Sequence, residues 1–353
     1  MHPLKATAVF LLSSLTVSAA GIEAASAGGP LGVPVACEAG RTCFVQQYAD
    51  MDAGAGVADP FCGAASYNGH KGTDIRIPAM SDIRKNVPVL ALKAGTVLRT
   101  RDTEEDRPVL SPAEWPKFSR NHCGNGLIID HGDGLEVQYC HLRKGSLQAR
   151  AGDKVRAGET IGAVGSSGMA AFPHLHLTVR RHGIAIDPFT GRSVGTGCQT
   201  KGEGEPLWSR TASAFLDRAA VHTMAIGVSG AAPDYHRLML DGVPPDAKPS
   251  DRATIGWGWF LNLRKGDRLR FTMTAPDGSN ALERTSKPLR HRKAAYLQFV
   301  GRGGPPAPGR WTLTVDILRK GRAIETKTVT VAVDAERPRP DRRLPRSDRI
   351  SSR

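Results

Sequence analysis

The chain has 353 residues, with 48 Lys and Arg against 34 Asp and Glu, a net charge of +14 and a pI near 9.8. That length allows about two domains, each able to bury a core, and the charge points to an anionic partner. The basic residues are scattered, with no basic helix and no aromatic-interleaved RNA motif, so nucleic acid is not the expected partner. An acidic envelope polymer is.

Residues 1–27 carry Lys5, an apolar run from Ala8 that continues past Ser13 and Ser14 to Ala20, and then Ala25-Ser26-Ala27. This is the layout of a cleavable secretory signal. The run is too short and interrupted to span a membrane, and no cysteine ends it, so no stable membrane anchor is expected. The protein is read as exported, to a periplasm or the outside. Its cysteines (Cys37, Cys43, Cys62, Cys123, Cys140 and Cys198) all follow the signal and are even in number, which in an exported chain predicts disulfides. No Cys-x-x-Cys pair is present, which argues against a zinc ribbon.

Residues 28–69 read as a Gly- and Ala-rich, cysteine-containing arm without helical period. The arm leads to Gly69-His70-Lys71-Gly72-Thr73-Asp74, where His70 and Asp74 share one face of an extended segment and Gly72 permits a turn. Short strand-like runs follow at 87–92, 95–98, 127–129, 135–139, 151–155 and 157–162. Residues 127–129 and 135–139 flank His131-Gly132-Asp133-Gly134 and predict a hairpin, which would bring Cys123 and Cys140 together. A long polar insertion, 101–125, is expected to wall a cleft. His141 closes the second hairpin strand. In Pro173-His174-Leu175-His176-Leu177-Thr178, strand alternation points His174 and His176 to one face and Leu175 and Leu177 into a core. Two imidazoles side by side on a sheet can hold a metal, or a metal and a proton. His122, His131, His182, His222, His236 and His291 lack partners at useful spacing and read as ordinary structural or surface histidines.

Taken in order, His70-x3-Asp74, Tyr139-x-His141-Leu142, the Gly-rich turns and His174-x-His176 resemble the LytM/lysostaphin-type zinc metallopeptidases over about residues 37–192. The resemblance implies an antiparallel β-sheet domain with a groove across its face, at residues 70–192. It implies that His70, Asp74 and His176 are ligands of a Zn2+ ion, and that His141 and His174 are non-ligand catalytic histidines, with base and oxyanion-donor roles not divided between them. Two imidazoles and a carboxylate leave a fourth position for water, the arrangement of a catalytic zinc site. Two further imidazoles can move protons near neutral pH. Members of this family cut peptide bonds, most often in peptidoglycan stems or cross-bridges. The competing reading is a non-catalytic regulator of wall hydrolases with the same fold; that role goes with lost ligands, and here all five positions are filled. Departures from the usual pattern are Phe172, where Gly is common, Leu177-Thr178 in place of Phe-Glu, and Asn86 in a turn where Gly is usual.

The last third carries no catalytic constellation. A linker at 193–213 leads to strand-like runs at 219–228, 252–263, 267–274, 295–300, 310–318 and 323–333. These predict a small, immunoglobulin-like β-sandwich over 214–333, serving as a binding or spacer module. Trp257 and Trp259 share a strand face, for stacking on a ligand or for the core. Residues 334–353, rich in Pro, Arg and Asp, read as a basic disordered tail. The fold class is therefore mainly β throughout.

Overall fold

The computed structural model describes residues 30–119, 121–198, 204–220 and 222–335. The signal reading at 1–27 and the tail reading beyond Ala335 lie outside these residues.

The first part of the chain forms β1 (Phe44–Gln47), β2 (Thr73–Arg76), β3 (Pro88–Leu90), β4 (Gly95–Arg101), β5 (Asn125–Asp130), β6 (Leu135–Leu142), β7 (Lys154–Val155), β8 (Thr160–Ala163), β9 (His174–Arg181) and β10 (Ile184–Ile186). Eight of these make one sheet in the order β1-β2-β9-β6-β5-β4-β7, with β10 against β9; β3 and β8 pair separately. All of the pairings are antiparallel. Alternation sets the faces: Ile75, Val137, Tyr139, Leu175, Leu177 and Val179 enter the first core. Tyr139 is buried with its hydroxyl accepting from Leu92 N at 2.9 Å, which ties the sheet to the loop after β3. Asn86 takes the left-handed conformation, φ 52°, that its place in a glycine-type turn requires.

The arm is less irregular than its composition predicts. β1 lies within it and pairs with β2, and Cys43, Val45 and Tyr48 join the first core. Cys37–Cys43 closes the arm on itself, Cys62–Cys198 ties it to the stretch after β10, and Cys123–Cys140 bridges the base of the predicted hairpin.

Further on come α1 (Arg210–Ala219), β11 (Thr223–Ser229), α2 (Tyr235–Asp241), β12 (Ala253–Leu263), β13 (Arg268–Thr274), β14 (Asn280–Thr285), β15 (Lys293–Gly303), β16 (Gly309–Arg319) and β17 (Arg322–Val333). A three-stranded sheet, β11-β12-β15, and a four-stranded sheet, β14-β13-β16-β17, enclose a second core of Phe260, Phe271, Trp311, Leu313 and their neighbours. The turn between β16 and β17 uses Lys320 and Gly321 at positive φ, as a two-residue hairpin of this hand needs. Helix α1 falls across the expected boundary at 213/214. Ser209 caps it by accepting from Ala212 N, and Ala212, Phe215 and Leu216 pack into the first core, so the division between the cores comes after the helix. Trp257 and Trp259 are core residues, which removes them as an exposed stacking platform. Among the described residues, no helix is long and apolar enough to cross a membrane.

Asp187, directly after β10, is fully buried. Its Oδ2 accepts from Thr190 N and Oγ1, while its Oδ1 has no partner. Burial pushes its carboxyl up to about 6, against the hydrogen bonds. Between pH about 4 and 6 the native chain therefore holds a proton that the unfolded chain has released, and stability falls as pH rises through that window. The total effect is about 3 kcal/mol. An Asp187→Asn variant is expected to lose this part of the pH dependence. Urea midpoints measured at pH 4 and 7 for both proteins check it, and parallel curves would refute the assignment.

Candidate metal centre and its flanking histidines

β2 and β9 are paired with Asp74 opposite His176 and Arg76 opposite His174. The sheet register thus sets a carboxylate beside an imidazole, and His70, just before β2, folds back over them. His70 Nε2 lies 3.2 Å from Asp74 Oδ1 and 3.2 Å from His176 Nδ1; His176 Nδ1 lies 2.8 Å from Asp74 Oδ1. One ligand atom from each of the three comes within 4.8 Å of the others, so the group could hold a metal ion.

The turn carrying His70 passes β9 with no room to spare. A Cβ on Gly72 would press into the Leu177 carbonyl oxygen and lie 2.8 Å from His176 Cε1. Gly72→Ala is expected to push β2 from β9, costing about 2 kcal/mol of stability. It should also weaken metal binding about tenfold or more, on the scale of lost orienting contacts. Denaturation and metal titration check this; unchanged metal affinity would count against it.

Orienting groups fix the imidazoles. A carbonyl oxygen can only accept, so the 2.7 Å contact of His70 Nδ1 with Tyr48 O places the proton on Nδ1 and leaves Nε2 a lone pair facing the cluster. His176 Nε2 lies 2.9 Å from Thr178 Oγ1; with the hydroxyl accepting, Nδ1 is the free nitrogen. Burial opposes ionisation of Asp74, but the electrostatic influence of the His70, His174 and His176 rings packed around it outweighs that cost. Its carboxyl is held well below the usual range, so it faces the cluster as an anion. For His70, burial favours the neutral ring, yet Asp74 raises its pKa overall.

His141 and His174 stand beside this trio, their rings 4.6 Å apart. His174 Nδ1 donates to Phe172 O and His141 Nδ1 to Ser167 O, each at 2.8 Å, so both present an Nε2 lone pair. Burial drives both pKa values down, His174 to about 4 and His141 well below the usual imidazole range with help from the charges of His174 and His176. Both rings are neutral at pH 7, and each can accept a proton.

Strand alternation does not account for His141. It follows Cys140, which pairs with His176, so regular alternation would send its ring to the core side with Tyr139. Instead His141 adopts φ 63°, and this left-handed residue turns the ring back toward His174 and His176. Such a conformation costs about 1 kcal/mol or more for a non-glycine residue. Strain of this kind concentrates where function requires it.

All five residues singled out in the sequence thus lie together on one sheet face. The Tyr48, Ser167 and Phe172 carbonyls that orient these rings carry no side-chain signature in the sequence. Tyr67, half-exposed and stacked on His70 at 4.4 Å, and Thr178 beside His176 join the site as well. Thr178 could have been found: two positions after His176, it shares the same strand face. His131 and His222 are bound structurally, to Ala94 O and Glu325.

Residues 68–188 match the family model described as Peptidase family M23. Over 65 residues, 18% of this chain and 14% of the relative, the sequence is 43% identical to the DD-carboxypeptidase/endopeptidase Mpg of Neisseria meningitidis serogroup B. Over 118 residues, 33% of this chain and 22% of the relative, it is 30% identical to the peptidoglycan DD-endopeptidase ShyA of Vibrio cholerae serotype O1. The chain thus spans less than a quarter of either relative's length. Among solved structures, a zinc-containing peptidase from Vibrio cholerae aligns with 45% of this chain and 39% of its own, at 21% identity and a TM-score of 0.31. The matched segment contains His70, Asp74, His141, His174 and His176, and over residues 68–188 the chain is similar to peptidase family M23, the LytM/lysostaphin type.

Proposed function

We propose that the protein is an exported zinc endopeptidase that hydrolyses peptide bonds in peptidoglycan stems or cross-bridges. The observation that carries this reading is the convergence of His70 Nε2, Asp74 Oδ1 and His176 Nδ1 beside two neutral imidazoles in a family M23 segment. The donor set fits zinc: two nitrogens and one carboxylate oxygen, with orienting partners for both rings. When bound there, zinc would acidify a water molecule and polarise the scissile carbonyl.

The chain's own residues supply the rest. Tyr48 O and Thr178 Oγ1 aim the ligand nitrogens, and the ionised Asp74 lowers the charge of the occupied site. His141 and His174 present Nε2 atoms that can take up a proton and return it to the leaving amine nitrogen, or, once protonated, donate to a developing oxyanion. Holding both pKa values down keeps them available as bases at neutral pH.

Substrate class is supported by the relatives' printed activities and by the net charge of +14, which suits an anionic wall polymer. The signal-like residues 1–27 and the disulfides support export. The test is metal analysis of the purified protein, followed by digestion of isolated sacculi and mass identification of the released peptides. About one zinc per chain and new peptide ends are expected. Intact sacculi with a zinc-loaded, folded protein would overturn the reading.

A further inference from the structure

Arg76 is opposite His174 in the β2–β9 ladder, and its side chain is completely buried. Its N–H groups donate to Gln46 Oε1 at 2.7 Å, Pro78 O at 2.7 Å and Ile77 O at 3.4 Å, all neutral acceptors. A guanidinium is always charged, and a buried charge without a counter-ion is costly. An aliphatic side chain would fill this space more cheaply, so packing alone does not explain an arginine here.

Two ring faces compensate the charge. The guanidinium carbon lies 4.8 Å from the centroid of Phe172 and 5.1 Å from that of Trp259. Phe172 belongs to the turn before β9, its ring is 4.5 Å from that of His174, and its carbonyl accepts the His174 Nδ1 proton. Trp259 belongs to β12 of the C-terminal sandwich and is fully buried. Its Nε1 has no hydrogen-bond partner, so its face is what engages Arg76. Gln46 joins the two parts a second time: its side chain accepts from Arg76 and its carbonyl accepts from Asn262 Nδ2 at 2.7 Å. Ser81 Oγ donates to Asp241 O at 3.0 Å nearby.

We propose that the C-terminal sandwich serves the peptidase site directly: Trp259, through Arg76 and Phe172, is a positioning residue that holds the turn on which the His174 ring is hung. The chain of contacts runs Trp259, Arg76, Phe172, His174 without a gap. It uses Phe172, the residue that departs from the family's usual glycine at this turn. The inference rests on the peptidase reading for its kinetic consequence, but the geometry of His174 can be measured without it.

The experiment compares the full chain with its Trp259→Leu, Trp259→Phe and Phe172→Leu variants, all loaded with zinc. Trp259→Leu is expected to lower kcat on sacculus-derived peptides about tenfold or more, since small misplacements of reacting groups cost up to about a hundredfold. KM should stay within about twofold and zinc content should not change, as no ligand or substrate contact is removed. The Nδ1–H signal of His174 in 15N-labelled protein should lose its protection from exchange. Trp259→Phe keeps a ring face and should retain most of kcat and the protected proton. Should Trp259→Leu fail to fold, Phe172→Leu, at a partly exposed position, carries the same expectation. A folded leucine variant with wild-type kcat and a protected His174 proton would overturn the proposal. So would equal losses in the Trp259 leucine and phenylalanine variants, which would make volume rather than the ring face responsible. If the wild-type protein cut nothing, the peptidase reading would fail, and the His174 proton would still decide the positioning role.

Discussion

A His176→Ala variant is expected to lose bound zinc and wall-digesting activity together, with residual activity below about 0.1% of wild type. The expected loss is large because His176 Nδ1 completes the three-atom cluster, 2.8 Å from Asp74 Oδ1 and 3.2 Å from His70 Nε2. Without it the site offers two protein ligands, too few for a catalytic zinc position, which takes three. Asp74 would remain buried with His70 as its nearest partner, so the carboxylate should keep a depressed pKa but less strongly. Metal content by mass spectrometry and peptide release from sacculi are measured on the same preparation. A variant that retained stoichiometric zinc, or that cut walls at the wild-type rate, would remove His176 from the ligand set.

The second large effect separates the flanking histidines from the trio. His141→Ala and His174→Ala are each expected to keep zinc and lower kcat by about 10²–10⁴, the range for loss of a positioned acid–base group. The double variant should lose little more than the worse single one, because residues acting as a unit are not additive. His141→Ala is the more telling of the two. Its backbone sits at φ 63°, so the folded protein bears a conformational cost at the residue whose ring is turned toward the site. Loss of zinc from either variant would mean that the ring is a ligand, and unchanged kcat would take it out of the chemistry.

The site was legible because its residues obey local periods. His174 and His176 are two apart on one strand, His70 and Asp74 sit either side of a glycine, and the alternation of Leu175 and Leu177 announces the core face. His141 was legible by resemblance alone, since its approach to the site depends on a left-handed backbone that no alternation pattern foretells. Most strands of both parts could be read from apolar runs, but β14 could not. Of its residues Asn280–Thr285, only Leu282 is buried, so there is little hydrophobic pattern to see. Helix α1 begins in a Ser- and Arg-rich stretch resembling a linker and is stabilised by the core it enters rather than by its own propensity. Helix α2, seven residues long, is too short to show a period. Strand β1 owes its existence to pairing with β2, a partner about thirty residues away, where the local Gly-rich composition gives no hint of it.

The bridge between Cys62 and Cys198, 136 residues apart, encloses His70, Asp74, His141, His174 and His176 in one covalent ring. A single cut by another protease in any surface loop of that ring, such as the exposed stretch around Trp115, would open the ring without releasing a fragment. Clipped molecules would still travel as one body, held until reduction, so the five residues would stay on one covalent unit after the first cut.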